Sequence, residues 1–535
     1  MSIMPATSGG GSRKLSDIAG MPEHVSSCVV SPVFIGRGQQ TDLLAKALAN
    51  TRAGQPAVIL IGGEAGVGKS RLVSEFSARA SQARVLTGGC MELGAAGLPY
   101  GPFTTVLRQL VHDLGTTGVR RLLAGQSTAE LTRLVPELGE IAKPAKAPEP
   151  AAHDEDPYQG EARARLFRQV LVLLKRLATM SPVVLVIEDV HWADRSTRDL
   201  LTFLVSNHRL LHGVLIVVTF RSDELHRCHP ARPLLAELGE FSWVDRCELP
   251  RLTKGEASAQ IAAILAHDPE PALVDVVFRR TDGNPLYVEQ LLGCSVKPPP
   301  TLRDVVLASA QQLPDETVEL LRTASAGGVR VAHPLLAAVT GLDEAEVARR
   351  LRPAVASNLL LADAAECQFR HALIHEAMRD DLLAGERSRL HAKFAEAIAA
   401  DSALAPAGRA AIEQAHHWYV AHDVTAALIS AWQAAAESGE VLAYAEQLTM
   451  LSRVLELWDS VPDAERHIGA DHVQVLEEAA QVACACGEES RGACFASAAF
   501  DALDGEANPA RAALLLERRN SLQAATQASR RRNAG

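Results

Sequence analysis

Gly63-Glu64-Ala65-Gly66-Val67-Gly68-Lys69-Ser70 sits just behind the apolar run Val58-Ile59-Leu60-Ile61 and leads into Arg71-Leu72-Val73-Ser74-Glu75-Phe76. The first run reads as a buried strand and the last as the opening of an amphipathic helix, so the glycine-rich octet is the turn between them. Its spacing, G-x-x-x-x-G-K-S, is what a phosphate-binding loop needs. Glycines let the backbone curl so that successive N–H groups converge on one anion, and the helix N-terminus adds its positive dipole end. Gly63, Glu64, Ala65, Gly66, Val67, Gly68 and Arg71 are the expected cradle. Lys69 is expected to reach the β- and γ-phosphates, and Ser70 to hold Mg²⁺ through its hydroxyl. The predicted ligands are ATP or ADP with Mg²⁺.

Working outward, a second strand-like run, Val183-Val184-Leu185-Val186-Ile187, ends in Glu188-Asp189. Carboxylates at the C-terminal end of such a strand can hold Mg²⁺ through water and orient an attacking water, so both are candidate catalytic and metal residues. A third run, Val217-Val218-Thr219-Phe220, ends in Arg221. Arg221 reads either as a γ-phosphate contact or as an ordinary ion pair at a sheet edge. Strands are predicted at Ala57–Ile61, Arg84–Gly88, Val183–Ile187, Val214–Phe220 and Val244–Leu249, with amphipathic helices between them. That alternation is the pattern of a parallel α/β sheet. The strand at Arg84–Gly88, lying between the two motifs, marks the division of P-loop proteins (ASCE/AAA-type) whose acidic pair supports hydrolysis.

The chain has 535 residues, room for roughly three or four domains. Residues 1–30, rich in Ser, Gly and Met, read as a flexible extension. Residues 31–250 are the expected P-loop ATPase core, with a Pro- and acid-rich surface loop at Ile141–Gln159. Residues 251–297 are a helical lid closed by Lys297-Pro298-Pro299-Pro300, and 301–385 a mixed module. Residues 387–519 read as TPR-like helical repeats, from Ala-rich stretches such as Ala431-Trp432-Gln433-Ala434-Ala435-Ala436. Residues 520–535 form a basic tail.

Composition limits the alternatives. A net charge of −11, from 53 basic against 64 acidic residues, excludes a chain that coats nucleic acid. No apolar run approaches the ~20 residues of a membrane span, and no signal-peptide core opens the chain. Nine cysteines, an odd number thinly spread, point to reduced thiols and a cytoplasmic location. His226-Arg227-Cys228-His229 reads as a polar loop rather than a metal site. Cys484, Cys486 and Cys494 read as small core residues, and His416-His417-Trp418 as repeat packing.

Taken together, Phe34-Ile35-Gly36-Arg37, GEAGVGKSR, VVLVIEDVHWAD, VVTFRSDE and DGNPLYVEQLL resemble the AAA-type ATPase core of the signal-transducing STAND NTPases. Within these the sequence is most similar to the large ATP-binding regulators of the LuxR class, over about Val33 to Val461. The resemblance implies a winged-helix-like module at 301–385, a slowly hydrolysing ATP switch that regulates transcription, and repeats that sense an inducer or partner protein. It implies that Gly36 and Arg37 line the adenine side, with Gly38 where the family usually has Glu. It implies that Pro285 packs on adenine, although Pro285 equally suits a helix start. It implies that His371 touches the β-phosphate of ADP, with Ala372 where some relatives carry Asp; a satisfied buried histidine is the other reading. Nucleotide is expected between the α/β core and the winged-helix-like module. No helix-turn-helix is found, so direct DNA binding is not expected and a truncated or frame-shifted regulator is; self-association is left open. A non-catalytic, nucleotide-stabilised scaffold is the alternative function.

Overall fold

The computed structural model describes residues 30–91, 98–124, 128–139, 159–227, 229–293, 302–363, 365–406, 408–503, 509–517 and 519–520. The N-terminal extension, residues 141–158 of the acidic loop, the triple-proline linker, Cys228 and the arginine-rich tail lie outside them. The chain divides into two compact bodies. One holds residues 39–63, 70–248 and 384 onward; the other holds the segment before Gln39, Glu64–Lys69 and Leu249–Leu383.

The first body is built on a five-stranded sheet. After α1 (Gly38–Arg52) come β1 (Ala57–Gly62), α2 (Lys69–Arg79), β2 (Arg84–Gly89), α3 (Gly101–Leu122), α4 (Ala129–Leu134), α5 (Gln159–Ala178), β3 (Val183–Glu188), α6 (Arg195–Ser206), β4 (Val214–Thr219), α7 (Ala231–Gly239) and β5 (Val244–Glu248). The order is β2-β3-β4-β1-β5, and every pairing is parallel. All five predicted strands are present. β1 and β4 are buried at every position, the mark of strands covered on both faces, whereas the edge strand β5 buries only Cys247. In sequence β2 lies between β1 and β3; in space the strand between them is β4. The loop that follows β1 and the acids that follow β3 thus leave the same edge of the sheet, where open α/β sheets bind ligands.

The second body continues with α8 (Lys254–Leu265), α9 (Pro271–Thr281) and α10 (Pro285–Gly293), joined through Ile261, Val277 and Val288. Then come α11 (Leu302–Ala310), α12 (Asp315–Gly327), β6 (Arg330–Ala332), α13 (His333–Thr340), α14 (Glu344–Ala356), β7 (Leu360–Ala362), β8 (Glu366–Phe369) and α15 (Ala372–Asp380). Its three short strands form an antiparallel sheet in the order β6-β8-β7. α8 opens with a reciprocal cap. The Thr253 hydroxyl accepts from the Glu256 N–H, and the Thr253 N–H donates to the Glu256 carboxylate.

The rest of the first body is helical: α16 (Ala384–Ala400), α17 (Ala410–Ala421), α18 (Val424–Glu440), α19 (Tyr444–Leu457), α20 (Ala464–Ile468), α21 (His472–Ala485) and α22 (Glu489–Ala502). Successive long helices pack in pairs, α16 on α17, α17 on α18 and α18 on α19, then α21 on α22. Alanines make this possible: Ala427, Ala431, Ala434 and Ala435 are buried along α18 and let neighbouring backbones approach. This array does not hang from the sheet. Ala431, Leu451 and Val454 belong to the same continuous hydrophobic core as Val58, Leu107 and Leu201.

Polar contacts lock the same seam. The Tyr100 hydroxyl donates to the Leu442 carbonyl at 3.3 Å. Glu446 of α19 accepts from the Ser196 N–H at 3.1 Å and from its hydroxyl, in the first turn of α6. Asp194 caps that same helix by accepting from the Thr197 N–H at 2.7 Å. Two buried carboxylates therefore share one helix N-terminus. Burial, and then the charge of Glu446, push the Asp194 carboxyl up; burial does the same to Glu446.

Candidate functional site

The glycine octet forms the turn between β1 and α2. Three of its glycines carry the positive φ that side chains resist: 155° at Gly63, 76° at Gly66 and 102° at Gly68. A Cβ on Gly68 would meet nothing within 4 Å, so the loop encloses open space where a side chain would sit. At Gly66 the situation is reversed. A Cβ there would lie 2.9 Å from Leu286 and 3.0 Å from the Asn284 side-chain oxygen. The Lys69 side chain is folded under the loop, its ammonium donating to the Glu64 carbonyl at 2.9 Å, and it is largely buried.

In the second body, four residues distant in sequence hold the loop. Asn284 Nδ2 donates to the Ala65 carbonyl at 3.0 Å, and the Leu286 N–H to the Gly66 carbonyl at 3.3 Å. Arg37 Nη2 donates to the Val67 carbonyl at 3.1 Å. Arg251 bridges the Glu64 carboxylate at 2.7 Å and Asp282 at 2.6 Å. Asn284 also caps α10, its Oδ1 accepting from the Tyr287 N–H at 3.3 Å. Pro285 is the first residue of α10, where a fixed φ and a missing N–H cost nothing. Gly36 has φ of 68°, and a Cβ there would stand 2.5 Å from Glu256 Oε1. Hydrogen bonds from Thr253, with the Arg37 charge adding, hold the Glu256 carboxyl below its ordinary value. His371 is half-buried at the N-cap of α15. The buried histidine is instead His375, one turn on: its Nε2 lies 2.9 Å from the Ser325 carbonyl and its ring meets Phe369 edge-on at 5.4 Å.

In the first body, β1 ends just before Gly63, β3 ends on Glu188 just before Asp189, β4 ends two residues before Arg221, and Ser70 lies in the first turn of α2. Glu188 is the last residue of β3. Asp189 turns into the left-handed region at φ 54°, its N–H donating to the Thr219 hydroxyl at 3.0 Å, so β4 fixes the backbone that carries the acid. His191 stands 3.9 Å from Asp189 and 3.5 Å from Glu224. Arg221 is buried, paired with Glu224 and laid over the Trp192 ring at 4.7 Å. Ser70 is exposed. The Ser70 hydroxyl and the Glu188 and Asp189 carboxylates are hard oxygens of the kind Mg²⁺ takes, usually with water. The glycine cradle with the lysine beneath it suits a phosphate group. Among the described residues no group of three or more His, Cys, Asp or Glu has metal-site geometry, and no helix is long and apolar enough to cross a membrane.

Asn284 and Arg251 were not singled out from sequence, nor was Glu446. An asparagine before proline reads as a helix cap, which hides its second bond. Arg251 carries no motif at all.

Comparison with known proteins follows from this geometry. A STAND protein with a tetratricopeptide repeat sensor from Pyrococcus horikoshii is 14% identical, over 94% of this chain and 76% of its own, with a TM-score of 0.44. The Walker-type ATPase of Pyrococcus abyssi is also 14% identical, over 65% of this chain and 96% of its own, at a TM-score of 0.33. An uncharacterised protein of Rhizobium meliloti (strain 1021) is 26% identical in an alignment of 409 residues that covers 68% of this chain. The chain spans 37% of the length of that relative. Residues 33–218 match the AAA ATPase domain, and this parallel-sheet segment with its glycine loop is a P-loop ATPase core of that type.

Proposed function

We propose that the chain is a nucleotide-driven switch: it binds ATP or ADP with Mg²⁺, hydrolyses ATP slowly, and passes the nucleotide state to its helical array. One observation carries this reading. The backbone of the phosphate loop is bonded at Ala65 and Gly66 by Asn284 and Leu286, more than two hundred residues away, so a change in the loop is felt directly by the helical segment that follows the sheet. A loop that only stored nucleotide for stability would not require that wiring.

In this reading the loop N–H groups and Lys69 bind the β- and γ-phosphates, Lys69 leaving the Glu64 carbonyl to do so. Ser70 and Asp189 hold Mg²⁺, which supplies charge neutralisation at the phosphates when bound. Glu188 orients water for in-line attack and takes its proton. Arg221, held between Glu224 and Trp192, senses the γ-phosphate by exchanging partners. Gly36, Arg37 and Pro285 serve the base, and His371 the β-phosphate of ADP. The similarity to LuxR-class regulators supports a role in transcriptional control, with the array receiving an inducer or partner protein.

Fluorescent-ADP titration of the wild type and Lys69→Ala tests the base of this reading: at least a tenfold loss of affinity is expected, and an unchanged Kd would refute it. Steady-state phosphate release then separates the switch from a nucleotide-stabilised scaffold. Tight binding with no release above blank favours the scaffold.

A further inference from the structure

Glu256 and Gln260 stand one turn apart on α8, and between them they reach two segments of the second body that are distant in sequence. Glu256 Oε1 lies against Gly36, 2.5 Å from where a Cβ on that glycine would fall. Gln260 Nε2 donates to the Pro285 carbonyl at 3.1 Å and to Glu289 Oε1 at 3.4 Å. This face of α8 therefore runs from the Gly36 turn to the start of α10.

Gln260 is only 3% exposed, and its Oε1 is buried and meets no donor among the described residues. Turning the amide over does not cure this. Oxygen and nitrogen would exchange places, and Oε1 would face the Pro285 carbonyl, acceptor against acceptor. Both hydrogens of Nε2 are directed at acceptors within the protein, so the side chain has no N–H to offer a ligand. Buried polar atoms are bonded as a rule, and an acceptor without a donor is costly. What Oε1 calls for is a donor, and a donor alone.

Purine bases differ on this point. Adenine carries an amino group at C6, a donor, where guanine and hypoxanthine carry a carbonyl oxygen, an acceptor. We propose that Gln260 selects the base of the bound nucleotide: its Oε1 accepts the 6-amino group of adenine and rejects 6-oxopurines. The proposal rests on the reading above in which Gly36, Arg37 and Pro285 serve the base. Oε1 is closed to solvent, so the bond forms with a local side-chain rearrangement, as is common on binding. A site built on such an atom discriminates by what it leaves unpaired when the wrong base enters.

The test is isothermal titration of the full chain with three nucleotides: ADP, purine riboside 5′-diphosphate (ADP with hydrogen in place of the amino group) and inosine 5′-diphosphate. ADP is expected to bind the wild type about tenfold or more tightly than either analogue. Gln260→Met keeps the length and removes the acceptor. It should weaken ADP about tenfold, to the level of purine riboside diphosphate, and leave that analogue nearly unchanged. A merely structural role would weaken all three alike and preserve the ratio, which would overturn the proposal. So would equal binding of ADP and either analogue by the wild type, a comparison that needs no substitution and stands even where Gln260→Met fails to fold. In both cases ADP still binds the wild type, and the nucleotide reading survives. Wild type that binds none of the three sinks that reading, and this proposal with it.

Discussion

Replacing Glu446 by alanine is expected to loosen the seam between the ATPase helices and the array, by an amount the structure allows to be worked out. The carboxylate accepts the Ser196 N–H and hydroxyl, and Ser196 is fully buried. Alanine leaves both donors without an acceptor, at about 1–3 kcal/mol each. Asp194, whose carboxyl is raised by burial and by the Glu446 charge, gains from losing that neighbour. The net loss is then about 2–4 kcal/mol. Glutamine provides the control. It keeps an oxygen for the Ser196 N–H and removes the like charge, so Glu446→Gln is expected within about 1 kcal/mol of the parent. Acidity separates the two effects. Both carboxyls are raised in the fold, so the folded chain binds more protons than the unfolded one. Stability from this pair is greatest below about pH 4 and declines as pH rises from there through the raised values. Urea unfolding at several pH values, followed by circular dichroism and tryptophan fluorescence, measures all three chains. The reasoning is refuted if Glu446→Ala costs under about 0.5 kcal/mol, or if Glu446→Gln is as damaging as alanine.

Other outcomes follow from single contacts. Asn284→Asp keeps the oxygen that caps α10 but loses the donor to Ala65; nucleotide affinity in a fluorescent-ADP titration is expected to fall about tenfold with little change in the unfolding midpoint. Gly66→Ala forces a side chain into φ 76° and against Leu286, so thermal unfolding should show a loss of about 1–3 kcal/mol. His208 is buried, and burial lowers it from 6.5 to about 4. The unfolded chain takes up that proton first, so stability is present above pH 6.5 and about 3 kcal/mol of it is lost as pH falls toward 4. His208→Leu should flatten that acid limb in urea titrations.

The sheet and the phosphate loop were legible because their signals are local. Val58–Ile61, Val183–Ile187 and Val214–Val218 are apolar without interruption and mostly β-branched, as suits strands covered on both faces, and the loop spacing is fixed by the size of a phosphate. Arg84–Gly89 and Val244–Glu248 were found despite being edge strands because turns bound them closely. What the sequence could not display is pairing at a distance. Nothing around Asn284 announces Ala65, and nothing around Glu446 announces Ser196. Each is a polar residue in or beside a helix, and its partner is set by how elements stack. His371 and His375 show the same limit: both lie in one amphipathic stretch, and only the packing of Phe369 and Ser325 decides which is buried.

The hydrophobic core shared by β1, α3, α6, α18 and α19 has a practical consequence for anyone dividing this protein. Gene order suggests a clean cut after Leu383, separating the sheet-bearing fragment from the helical array. Such a cut would strip Leu107, Leu201 and Tyr100 of their cover and leave Ala431, Leu451 and Val454 facing water on the other piece. The halves are contiguous in the gene but not separable as solutes. The sheet and the helical array are better regarded as one folding unit, interrupted in sequence by a second one.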